Sequence, residues 1–436
     1  MQITIENSLD VLARHMLRDG MNLLLDFEGS HGNYLRDLRS GREYLDFFSF
    51  FASLPIGFNH PGTKDPTYQA KLNRVAQLKP SNADVYSLEM AEFVGSFARL
   101  AGHEHFRRYF FISGGALAVE NALKAAFDWK VRKNLAAGKG ELGTQVIHFK
   151  EAFHGRSGYT MSLTNTDPLK TMYFPKFNWP RINNPKCQFP LDQAAEQTVA
   201  ATEAQALSDI QAAIAANPDD IAALIIEPIQ SEGGDNHFRP EFLKALRQIC
   251  NEQEIILIFD EVQTGIGITG KMWAFEHFPD AMPDIVCFGK KTQVCGMMAS
   301  ERLNEVDSVF KVSSRINSTF GGNLVDMVRC QRYLEIIHEQ QLVENAATVG
   351  AFLLDGLQQL QQHHDSISNV RGRGLMLAFD CPDAEFRKRL CDAMYDQQMI
   401  GLVCGEKSMR FRPGLAMTRE DAAKGLEILD SCLKKV

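Results

Sequence analysis

The chain has 436 residues, 45% hydrophobic and 23% charged, with a formal net charge of −8. This is the composition of an ordinary globular protein, long enough for two domains. There is no basic stripe to suit a nucleic acid and no apolar run near the ~20 residues that cross a bilayer.

The N-terminus, MQITIENSLDVLARHMLRDG, carries acids early and lacks an unbroken apolar stretch, so it does not read as a secretory signal. Residues 34–51 (YLRDLRSGREYLDFFSFF) predict a hairpin turning at Ser40-Gly41. Five apolar runs then follow: 107–114, 144–150, 221–228, 254–262 and 284–290. Rich in Ile, Val and Phe, they predict strands buried on both faces. Helical patterns such as 116–134 and 239–253 lie between them, so an α/β fold with a mostly parallel sheet is expected. From about residue 326 long helices take over, with strand-like pieces at 370–380 and 408–415. The expected organisation is a large domain over 61–325 and a smaller α+β domain built from 1–60 and 326–436. Nine scattered cysteines, with no Cys-x-x-Cys pair, point to reduced thiols in a cytoplasmic protein, with no disulfide frame or metal site.

Ligands of open α/β sheets sit at the carboxyl ends of the strands, and four of the five runs end in polar or glycine-rich residues. Ser113-Gly114-Gly115-Ala116 joins a strand to a strong helix; it suits a phosphate or is an ordinary tight turn. A dinucleotide is disfavoured because G-x-G-x-x-G is absent here. Phe153-His154-Gly155-Arg156 offers a ring to stack on a planar group and an arginine to hold a carboxylate, unless it is a plain surface loop. Glu227 precedes a proline at a strand end, and Glu232 opens a glycine-containing loop. Asp260 ends the uncharged run IILIF and needs a cation, which a protonated ring nitrogen would supply. Lys290-Lys291 closes another apolar run. A desolvated lysine there would be a nucleophilic amine able to form a Schiff base. Two lysines adjacent on a strand face opposite ways, and Lys290, directly after Gly289, is taken as the one inside, with Lys291 as its solvated or second-layer neighbour. Asn317-Ser318-Thr319 is either a donor to phosphate or a helix cap.

At this point the chain resembles the class-III (ω-) aminotransferases. LIFDEVQTGIGITG (257–270) followed by PDIVCFGKK (283–291) is the most specific element. The resemblance runs from GREYLDFFSFFASLPIGFNHP to RFRPGL. Within the class, KPSNADVYS (79–87), GTQVIHFKEAFHGRSGYTMSLTNT (143–166), FGKKTQVCG (288–296) and NSTFGGNLVDMVR (317–329) are similar to the branch that acts on the ε-amine of lysine. One departure stands out, because the Gly-Gly that usually follows the lysine is replaced by Lys-Thr-Gln-Val-Cys-Gly.

The resemblance implies an aspartate-aminotransferase-like fold, pyridoxal 5'-phosphate as cofactor, L-lysine and 2-oxoglutarate as substrates, and a homodimer sharing its active site. It implies that Lys290 holds the cofactor aldehyde and shuttles a proton, and that Asp260 pairs with the ring nitrogen. Phe153 stacks on the ring, with His154 and Glu227 beside it, and Gln263 reaches both ring hydroxyl and substrate. Gly115 and Ala116 bind phosphate, helped by Thr319 from the second subunit, and Ser318 is also placed at the cofactor. Arg156 and Asn317 hold the substrate, and Glu232 and Arg410 form a switch that opens for 2-oxoglutarate. Another ω-amine donor (ornithine or 4-aminobutyrate), an aminomutase and a non-enzymatic relative are the competing readings.

Overall fold

The strands Ile221–Ile226 and Ile256–Asp260 are buried at every position, as runs of Ile and Leu covered on both faces must be. In the computed structural model, which describes residues 2–436, they lie at the centre of a seven-stranded sheet. Its order is Phe106–Ile112, Cys295–Ser300, Ile285–Phe288, Ile256–Asp260, Ile221–Ile226, Gln145–Phe149 and Arg181–Ile182. Pairing is parallel except around Cys295–Ser300, which runs antiparallel to both its neighbours. That strand was not expected, since CGMMAS has no β-branched residue. It fits because Gly296 lies where a Cβ would come within 2.2 Å of the Phe110 carbonyl.

The helix Gly115–Ala136 crosses one face of the sheet. Its small residues Ala118, Ala122, Ala125 and Ala126 are fully buried, which brings it close to the strands, and Trp129 fills the far end. Pro240–Glu252 and Leu324–Glu339 cover apolar residues of the larger core on the other side. Among the described residues, no helix is long and apolar enough to cross a membrane.

The hairpin pairs Tyr34–Arg36 with Glu43–Asp46 around Gly41, whose φ of 69° suits a glycine. Met399–Ile400 adds to it in parallel, so early and late segments share one sheet. A separate four-stranded sheet holds Ser368–Arg373, Met376–Asp380, Ser408–Phe411 and Leu402–Cys404. The hairpin is shorter than expected. Residues Ser49–Ala52 form a left-handed turn with φ between 39° and 64°. Asp46 Oδ1 starts it by accepting from the N–H groups of Phe48 and Ser49 at 2.7 and 2.9 Å. Four consecutive non-glycine residues in this region are strained, and the turn brings Phe51 to the wall of the central cavity.

Candidate active site

The carboxyl ends of the sheet strands open on a cavity of about 820 Å³. At one end Gly114, with φ 104°, turns the chain into the 22-residue helix Gly115–Ala136, whose first N–H groups face the opening. An anion is favoured there by unpaired donors and the helix dipole. Gly155 clamps the second loop onto the first. Its φ is 117°, and a Cβ on it would sit 2.4 Å from that of Ala116. Gly155→Ala therefore combines overpacking with backbone strain, and is expected to lower unfolding stability by roughly 2 kcal/mol or more. A denaturant midpoint equal to that of the parent chain would contradict this.

On the cavity floor, His154 Nδ1 donates to Asp260 Oδ2 at 2.8 Å, and Asp260 Oδ1 accepts from the Val262 N–H at 3.1 Å. His154 and Asp260 are both buried, and His154 Nε2 has no hydrogen-bond partner among the described residues. Glu227 is wholly enclosed. It accepts from the N–H groups of Phe153 at 2.9 Å and Ser231 at 3.0 Å, so it fixes the loop that carries the Phe153 ring. Burial pushes its carboxyl up to about 7, with His154 opposing and Asp260 adding to the rise.

The lysine pair is not on a strand. The strand stops at Phe288, and Lys290–Thr292 forms a tight turn with Lys290 at φ 52°. Lys290 lines the cavity, its Nζ 5.8 Å from the Phe51 ring centre. Burial and then the Arg410 guanidinium push its ammonium down to about 8, against Glu232 and Asp260. Of the two places expected for Lys291, the structure excludes the solvated one and fits the second-layer one. Lys291 is 2% exposed, not solvated, because the turn sends it inward, where Nζ donates to the Gln263 carbonyl at 2.6 Å. Burial holds its ammonium well below the ordinary range, and Lys290 and Arg412 add to the effect.

Three further candidates reach the same cavity. Arg156 lies exposed at its edge, with no ion pair among the described residues. Gln263 lines it, held by Arg412 Nε, which donates to Oε1 at 3.3 Å. Glu232 Oε2 accepts from Arg410 Nη2 at 3.2 Å, the pair expected of a switch. Asn317, Ser318 and Thr319 are not brought in. They sit outside the cavity, Asn317 and Thr319 exposed, with Ser81 Oγ donating to the Thr319 carbonyl at 2.5 Å.

Several residues at or behind the cavity wall were given no role by the sequence alone. Val262 follows directly in the DEVQTG run, and Gly115 packs against it so closely that a Cβ would meet its Cγ1 at 3.1 Å. Lys170 pairs with Glu232 from the short turn Pro168–Lys170, where no periodicity marks it. Arg412, two residues after Arg410, is fully buried and paired with Asp235; its spacing along RFR was the available signal. Cys295 does line the cavity, and burial raises its thiol pKa.

The profile described as "Aminotransferase class-III" matches residues 16–433. The chain is 50% identical, over 98% of its length and 95% of the relative's, to L-lysine-epsilon aminotransferase of Mycobacterium tuberculosis. It is 49% identical to the protein of that name from Amycolatopsis lactamdurans, over 97% of this chain and 94% of the other. A solved structure of lysine aminotransferase from M. tuberculosis in the internal aldimine form superimposes with a TM-score of 0.97 at 50% identity, covering 99% of both chains.

Proposed function

The chain belongs to the class-III aminotransferases, pyridoxal-phosphate-dependent transaminases, and from that premise we propose a specific reaction and acceptor. The enzyme moves the ε-amino group of L-lysine to 2-oxoglutarate, giving 2-aminoadipate 6-semialdehyde, which cyclises to a piperideine carboxylate, and L-glutamate. The observation that carries the donor assignment is the half-identity, along nearly the whole chain, with relatives named for the ε-amine of lysine.

The residues present fit the cofactor. A phosphate has a helix N-terminus behind a glycine at φ 104°, and the cavity floor carries the buried carboxylate Asp260 where the strand Ile256–Asp260 ends. Lys290 faces the same space with an ammonium shifted toward its neutral form. Pyridoxal phosphate supplies an aldehyde to carry the amino group and a protonated ring to accept electrons from the carbon beside the nitrogen. When the cofactor is bound, Gly115 and Ala116 would hold its phosphate through their N–H groups, Asp260 would pair with its ring nitrogen, and Phe153 would pack against the ring. Glu227 and His154 keep Phe153 and Asp260 in place. Arg156 takes the α-carboxylate of lysine, which sets Cε near Lys290, and Lys290 Nζ removes the proton from that carbon. While lysine is bound, Glu232 stays on Arg410; the distal carboxylate of 2-oxoglutarate replaces it in the second half-reaction.

Asn317, Ser318 and Thr319 complete the site of a second copy of the chain in a homodimer. Support comes from their place outside their own cavity, on a surface where Val85, Tyr86, Leu88 and Phe320 are exposed. A cytoplasmic location suits the nine cysteines, all of them free thiols.

Cofactor uptake by the apo-enzyme needs the free amine of Lys290. Its pKa is lowered from 10.5 to about 8, so the ammonium gives way to amine as pH rises through 8. The uptake rate should climb with a midpoint near pH 8 and level off above it; a rate still climbing at pH 10 would contradict the lowered value.

The reaction is tested by supplying lysine and 2-oxoglutarate, measuring glutamate, and trapping the cyclic imine with 2-aminobenzaldehyde. Both products are expected. A preference for ornithine or 4-aminobutyrate would refute the donor, and no glutamate would refute the acceptor.

A further inference from the structure

Glu232 has two cationic partners, and they differ. Arg410, on Glu232 Oε2, is 1% exposed, and its Nε and Nη1 have no hydrogen-bond partner among the described residues. Lys170, on Oε1, is 27% exposed in its side chain. Lys170 and Glu232 line the catalytic cavity and also a second, polar cleft of about 720 Å³. The pair is thus part of the wall between the two spaces. The other charges of the cleft are mixed in sign, with Lys186 paired to Glu151 and Arg371 to Asp380.

Only the side chain of Glu232 is free to move. Its carbonyl accepts from the Gly405 N–H at 2.8 Å, and the neighbouring Gly233 packs so tightly that a Cβ would lie 2.0 Å from the Glu151 carbonyl. A buried arginine needs an anion in every state. Glu232 provides it until a dicarboxylate arrives, and then Lys170 is the one cation of the two that Glu232 keeps. Its displacement is easiest toward a cation it already touches, on the side where water has access.

We propose that Lys170 is a specificity-determining residue for the acceptor: it receives the Glu232 carboxylate when a dicarboxylic oxo acid takes Arg410, lowering the cost of opening the switch. This rests on the Glu232–Arg410 switch proposed above. Lys170 would act through Glu232, which makes it a positioning residue.

The test is steady-state kinetics of the holoenzyme with lysine and 2-oxoglutarate, for K170M, E232Q and the double variant. K170M is expected to raise the KM for 2-oxoglutarate, relative to the KM for lysine, by about fivefold. In the E232Q background, with no carboxylate to receive, the same change should move that ratio by less than about twofold. K170R, which keeps the cation, should hold the ratio within about twofold of the parent, and K170Q takes the place of K170M in the cycle if K170M fails to fold. An undiminished K170M effect in the E232Q background would overturn the proposal, because Lys170 would then attract the dianion directly. No effect of K170M while E232Q shifts the ratio would overturn it and leave the switch standing. If E232Q itself leaves the ratio unchanged, the switch fails and this proposal with it.

Discussion

Lys290→Ala is expected to lower kcat for lysine by about 10⁴-fold or more, since the proposed reaction uses one side chain as both attachment point and proton carrier. The substitution should cost little in folding. Lys290 Nζ makes no hydrogen bond among the described residues, and its neighbour within reach is the Phe51 ring at 5.8 Å. Lys291→Ala should behave in the opposite way. It strips the Gln263 carbonyl of a buried 2.6 Å donor, at a cost of about 1–3 kcal/mol in stability. The two lysines are adjacent in sequence, yet one would be read in turnover and the other in the unfolding midpoint. A kcat within tenfold of the parent for Lys290→Ala would remove it from the chemistry.

Asp260→Asn keeps the shape of the cavity floor and removes its charge. The carboxylate sits at the end of a fully buried strand, with His154 at 2.8 Å as its side-chain partner. Preorganised charge of this kind, aimed at a reacting group, is worth about 10²–10³ in rate, so kcat should fall by roughly 10³-fold. The asparagine amide can also turn its NH₂ toward His154, which undoes the orientation of that ring. A variant that retains bound cofactor yet turns over at near-parental rate would mean that the ring nitrogen has no need of Asp260.

The strands carrying these groups were legible because their signal is local. Runs such as IAALII and ILIF are apolar throughout, so burial on both faces follows from composition alone. Asp260 stood out against its strand for the same reason. Cys295–Ser300 was invisible, since its place depends on Gly296 fitting against Phe110 and Phe288, a contact made across the sheet. The lysine pair shows a subtler limit. Choosing Lys290 from strand alternation used a rule that does not apply, because the strand ends at Phe288 and a left-handed turn separates the two side chains. Lys170 and Phe51 could not be found from the sequence: each reaches the cavity through an irregular turn, with no period to mark it. Thr319 lies beyond what one chain can place, since its proposed partner belongs to another copy.

In the proposed reaction the cofactor is carried by Lys290. Reducing the holoenzyme with borohydride fixes the cofactor to its lysine as a stable secondary amine, and peptide mass spectrometry then locates it. The phosphopyridoxyl group is expected on Lys290. Finding it on Lys291 or on any other lysine would contradict the account.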